Sequence, residues 1–119
     1  MKPLELAQAV ARALNSKQGQ DVLVIDVRHL TSVTDYFVIA SGRNVLQVRA
    51  LAEAVEDQLE AAGETPRRRE GYADARWIVL DYASVIVHMF HVDERAYYNI
   101  ERLWMDGANV VAVPDVEDA

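Results

Sequence analysis

Residues 35–42 (D-Y-F-V-I-A-S-G) and 77–88 (W-I-V-L-D-Y-A-S-V-I-V-H) constrain this chain more than any other stretches. Both are rich in β-branched and aromatic residues and bounded by turn formers, which reads as strand. They also carry aspartates, aromatics and a histidine where sheet packing alone would be met by more Val and Ile. The short D-Y-A connection between 76–80 and 84–92 makes an antiparallel hairpin the economical arrangement. Strand alternation then sets Trp77, Val79 and Asp81 on one side and Ile78 and Leu80 on the other. The second run divides into Ser84, Ile86, His88 and Phe90 against Val85, Val87, Met89 and His91. In each strand one set is apolar or nearly so, and the other mixes an aromatic with polar or acidic groups. With helices over the apolar face, the mixed face is left open, and a large exposed aromatic flanked by polar groups is how binding surfaces are built. The competing reading has Trp77 covered by residues 63–75.

The rest of the pattern supplies those helices. Pro3 at a first-turn position, followed by Leu6, Ala7, Val10, Ala13 and Leu14 at helical spacing, predicts a helix ending near Gly19. Residues 21–27 and 36–40 read as strands joined by a polar loop over 29–34. A second helical period runs through Val45, Val48, Leu51, Ala52, Val55 and Leu59 and stops at Gly63. Residues 63–75 combine Gly, Pro and charge, so a mobile loop is expected there, and they hold the basic cluster Arg67, Arg68 and Arg69. Asp93 is expected to cap a third helix running through Met105, with Tyr97, Ile100 and Trp104 on one stripe and Gly107 as the stop. Tyr97 and Ile100 are expected in the core, whereas Tyr98 and Trp104 reach the edge of the open sheet. Residues 110–113 add a short edge strand before Pro114 and an acidic, frayed tail. The expected class is α+β, a mixed sheet of four or five strands with helices packed on one face.

A chain of 119 residues fits one domain, hiding roughly two thirds of the surface its unfolded form exposes. No apolar run approaches the roughly 20 residues that cross a membrane as a helix. The N-terminus lacks the marks of a secretory or transit peptide, so a bacterial cytoplasm is the expected home. With no cysteine, disulfides, thiolate catalysis and Cys-based metal sites are excluded. Nineteen acidic against twelve basic residues give a net charge of −7. That balance opposes direct nucleic-acid binding and favours encounter with a basic protein.

Asp26, Asp35 and Asp81 lie at or near strand ends, and clustered carboxylates hold Mg²⁺ in phosphoryl or nucleotidyl transfer. Nucleotidyltransferases place a Gly-Ser turn before a helix and then an Asp-x-Asp pair on a strand. Here the order is Ser41-Gly42, followed only by Glu53, Glu56 and Asp57 on a helix, which is the wrong spacing for a shared metal. His88 and His91, three apart on a strand, point to opposite faces, and His29 sits in a loop without a neighbouring ligand. The expectation is therefore no catalytic residue, no metal and no cofactor, with a metal-dependent transferase kept as the alternative.

Six blocks occur in the order and spacing of a known family: D-V-L-V-I-D-V, D-Y-F-V-I-A-S-G, Q-V-R-A-L-A, R-R-E-G, W-I-V-L-D-Y with V-I-V-H, and Y-Y-N-I-E-R-L-W. In these the chain resembles the Iojap family of ribosomal silencing factors, over about residues 4–106. Ala83-Ser84 stands where many members carry Gly-Asp. The resemblance implies a nucleotidyltransferase-like topology without enzymatic activity, over a domain of residues 1–106 with a short extension at 107–119. It implies a translation repressor that binds the large ribosomal subunit through its ribosomal protein fourteen and blocks joining of the small subunit in starvation. Large-subunit assembly through the same surface is a further alternative. It also implies a homodimer when free. The partner-binding set expected from the open face is Trp77, Val79, Asp81, Tyr82, His88, Phe90, Tyr98 and Trp104.

Overall fold

Pro3 opens the first helix, α1 (Pro3–Ser16), where its fixed φ suits the first turn and its missing N–H costs nothing. The computed structural model describes residues 1–113; the acidic tail from Pro114 onward lies outside the described residues. Two strands follow, β1 (Gln20–Asp26) and β2 (Tyr36–Gly42), and then α2 (Val45–Ala61). Asn44 caps α2 by accepting the Gln47 N–H at 2.9 Å, while the Gln47 side chain accepts the Arg43 N–H at 2.7 Å. The helix ends where Gly63 takes φ +85° and the Glu64 N–H donates to the Leu59 carbonyl at 2.8 Å. The chain continues through β3 (Arg68–Glu70), β4 (Trp77–Asp81), β5 (Val85–His91), α3 (Val92–Tyr98) and α4 (Ile100–Trp104).

The fold is α+β, as expected, with a five-stranded mixed sheet in the order β1-β2-β5-β4-β3. β2 and β5 run parallel at its centre, from Tyr36↔Val85 to Gly42↔His91, and every other pairing is antiparallel. The parallel pair requires a crossover, which α2, β3 and β4 provide. α1 and α2 cover one face, where Leu14, Leu51, Leu59, Val87 and Met89 are fully buried. At roughly 1.5–3 kcal/mol for each large apolar side chain removed from water, this layer supplies most of the driving force for folding.

Four expectations are corrected. The 63–75 segment contains a strand: Arg69 pairs with Leu80, and the carbonyls of Tyr72 and Ala73 accept the Arg49 guanidinium at 3.2 and 2.8 Å. Local sequence resembled a loop, but pairing with β4 satisfies its backbone groups. The third helix is broken in two, because Asn99 adopts a left-handed conformation (φ 46°) that its short polar side chain tolerates. Its N-cap is His91, not Asp93: the His91 ring accepts the Asp93 N–H at 3.1 Å. Along 110–113 the structure has one isolated bridge, Ile25↔Val110, flanked by the Asp26 N–H to Asn109 carbonyl bond and the Val111 N–H to Val24 carbonyl bond.

Candidate functional site

Register places every residue of the second sheet face. Across the strands, Ile25 faces Phe37, Phe37 faces Ile86, Val79 faces His88, and Glu70 faces Val79. All of these point away from α1 and α2. Over β1 and β2 this face is closed by α4. Ile100 and Trp104 pack on a small second core of Ile25, Val27, Phe37, Ile39 and Phe90, and the Asn109 amide ties the Trp104 and Asp26 carbonyls together. Over β5, β4 and β3 the face stays open as a groove of about 410 Å³. Its floor is Phe37, Val79, Ile86 and His88, its ends are Trp77 and Trp104, and Arg68, Glu70 and Asp81 form its polar rim.

The groove is built from interlocked rings. Trp77 stacks on Phe90 at 4.7 Å between centroids and touches Tyr98 at 4.9 Å; Phe37 meets His88 at 5.3 Å and Trp104 at 5.0 Å, edge to face. The Trp77 indole N–H donates to His88 Nδ1 at 3.1 Å. Burial removes water from the His88 ring and pushes its pKa down to about 4. The ring is therefore neutral at physiological pH, and with Nδ1 accepting, its proton sits on Nε2.

Asp81 sets the rim. Burial opposes its ionisation, but the Ala83 N–H at 2.8 Å and the Arg67 and Arg68 guanidiniums at 3.2 and 3.3 Å outweigh that, holding the carboxyl below its ordinary range. The basic cluster is thus divided by strand alternation. Arg68 serves Asp81 on the groove side, and Arg69 on the helix side pairs with Glu56 of α2 at 3.0 Å.

The structure brings Trp77, Val79, His88 and Trp104 of the expected set to the groove wall or floor, and Tyr98, 48% exposed, to its flank. Phe90 is corrected: it is fully buried beneath Trp77 and supports the site without reaching its surface. Asp81 is also buried, consumed by its two arginines. Tyr82 is corrected as well, because alternation turns it to the helix face, where it joins the main core. Tyr97, expected in the core, is 81% exposed, and its neighbour Tyr98 is the residue of the last turn of α3 that touches Trp77. Phe37, Ile100, Arg68 and Glu70 line the groove without having been expected there, and so does Ile86, which alternation had put on the open face but which was not in the expected binding set.

Neither Ser41 nor Asp26 lines the groove. The Ser41 hydroxyl accepts from the buried Arg95 at 2.9 Å, and Arg95 also pairs with Glu101 at 3.0 Å, locking α3 and α4 to the sheet. Asp26 is paired with Arg28 at 2.7 Å, and among the described residues no three His, Asp or Glu side chains converge on one point.

The match to one protein family, ribosomal silencing factor during starvation (RsfS), runs over residues 1–119. The chain belongs to the ribosomal silencing factor family. It is 39% identical over 106 residues to a Bacillus subtilis protein named as a ribosomal silencing factor, covering 89% of this chain and 90% of that one. It is 29% identical over 104 residues to the chloroplastic Iojap protein of Zea mays, covering 85% of this chain and 44% of that longer protein. The fold of the ribosomal silencing factor chain superposes on the crystal structure of a Chromobacterium violaceum protein with a TM-score of 0.85 and 31% identity, covering 97% and 98% of the two chains. No helix among the described residues is long and apolar enough to cross a membrane.

Proposed function

We propose that this chain represses translation by binding, without catalysis, to the large ribosomal subunit, with the Trp77–His88 groove as the contact face. The observation that carries the reading is an aromatic groove left open on one face of the sheet, in a chain whose family is defined by ribosome silencing. Concave aromatic surfaces with a polar rim are where interface energy concentrates. A net charge of −7 suits a basic ribosomal protein, and we place the contact on ribosomal protein fourteen of the large subunit. A domain seated there keeps the small subunit from joining, which slows protein synthesis when nutrients fail. The expected setting is the bacterial cytoplasm, and in the absence of ribosomes two copies cover the groove by pairing.

Cosedimentation with purified large subunits, followed by a subunit-joining assay, tests the proposal. Stoichiometric binding together with loss of joining is the expected result. Binding that leaves joining intact would replace silencing with an assembly role, and absence of binding would end the proposal.

A further inference from the structure

Resting on the reading that this groove is the contact face, a second question is what kind of segment it accepts. The Trp77 indole N–H is already committed to His88 Nδ1 at 3.1 Å, so Trp77 offers a partner only its apolar surface. Around it Phe37, Val79 and Ile86 bring no polar side-chain atoms. His88 lines the groove, and its other ring nitrogen, Nε2, is not closed off from solvent and has no hydrogen-bond partner among the described residues. Because Nδ1 accepts, Nε2 carries the proton, and the floor presents one donor in an otherwise apolar bed. On the rim, Arg68 is paired with Asp81, which Arg67 also contacts from outside the groove lining. Glu70, exposed on the edge strand and turned to the groove side by its register with Val79, has no ion-pair partner among the described residues.

We propose that His88 and Glu70 select the partner segment: a protein chain that seats an apolar side chain against Trp77 and Phe37, places a carbonyl oxygen on His88 Nε2–H, and brings a lysine or arginine to Glu70. A single donor in an apolar floor discriminates strongly, because a segment without an acceptor leaves that N–H buried and unpaired. The free carboxylate of Glu70 rewards a basic side chain.

The test is cosedimentation of the full chain with purified large ribosomal subunits, with a thermal melt beside each variant. His88→Phe keeps a ring and loses both polar functions, and its binding is expected to fall about tenfold, the worth of one buried hydrogen bond. His88→Gln carries an amide toward the Nε2 position and should recover most of that loss. His88→Asn keeps an acceptor near the Nδ1 position, so it should restore the Trp77 indole N–H resonance without restoring affinity. Glu70→Lys should weaken binding more than Glu70→Gln, and both should reduce its salt dependence. Native affinity for His88→Phe, where Trp77→Ala has lost binding, would overturn the role of His88 while leaving the groove as the contact face. Native affinity for Trp77→Ala and His88→Phe alike, with unchanged melts, would instead defeat the groove reading itself. Native affinity for Glu70→Lys would remove the basic group from the partner's description.

Discussion

The Trp77 indole N–H donates to His88 Nδ1 across β4 and β5, at 3.1 Å, between residues that are diagonal neighbours in the antiparallel register. One hydrogen bond thereby aims the largest ring of the groove and fixes which nitrogen of His88 carries the proton. The bond exists only while His88 is neutral, so groove geometry and acid stability are linked.

Acidification should expose that link. Folded His88 has its pKa lowered to about 4, against an ordinary 6.5, so on acidification the unfolded chain takes up a proton first. The contribution of His88 is whole above pH 6.5 and is lost as pH falls from there toward 4, by about 3 kcal/mol in all. Denaturant unfolding of native protein and His88→Phe at a series of pH values should give a difference that narrows across this window. A constant difference would mean that His88 is not held neutral by the fold.

Gly71→Ala should destabilise by roughly 2–4 kcal/mol. Gly71 sits at φ +90°, and a Cβ there would stand 1.9 Å from the Trp77 carbonyl oxygen. The contact is with backbone, so no side-chain rotation relieves it. A melting temperature within about one degree of native would show that the β3–β4 turn can move aside.

Ala83→Gly should stabilise by about 0.5–1 kcal/mol. Ala83 is exposed and held at φ +72° between β4 and β5, a conformation that penalises any Cβ. Its N–H donates to Asp81 in a bond that glycine keeps. Equilibrium urea unfolding reads the change directly, and a loss of stability would point to a dominant entropic gain of the unfolded chain.

Association with large subunits should slow as salt rises. A net charge of −7 meeting a basic protein is accelerated by long-range attraction, which ions screen over about 10 Å at 0.1 M. On-rates measured between about 50 and 300 mM salt check this. A flat profile would leave shape alone to guide the encounter.

Free protein at tens of micromolar should scatter light as a dimer, and Trp77→Ala should shift it toward monomer. The groove and exposed Tyr97, Tyr98 and Leu103 leave apolar surface in water on one side of the molecule. A strictly monomeric native protein would rule out pairing through this face.

Much of this architecture was legible because strand alternation survives folding. The split of 77–88 into a helix-facing and an outward-facing set follows from period 2, and it placed Trp77, Val79 and His88 on the groove side. The same rule already put Tyr82 opposite Asp81, so grouping Tyr82 with the site ran against the pattern. β3 was not legible: R-R-E is three charged residues with no apolar alternation, and only pairing with β4 makes it a strand. The break at Asn99 was hidden for a different reason, since Tyr97, Ile100 and Trp104 keep helical spacing across it. Nor does alternation say which of two rings on one face lies on top. Trp77 over Phe90 is a packing outcome, settled by three-dimensional neighbours such as Tyr98.

The borders of the sheet bear on solubility. A sheet that exposes an aromatic face invites stacking, and an unpaired border strand invites endless strand-by-strand growth. Here one border, β1, is covered along Val24 to Asp26 by the 109–111 segment, and the other, β3, is three residues long and entirely charged. Both features work against strand-by-strand growth along the hydrogen-bonding direction. The apolar groove face is thereby kept apart from any long, flat border that would favour fibres.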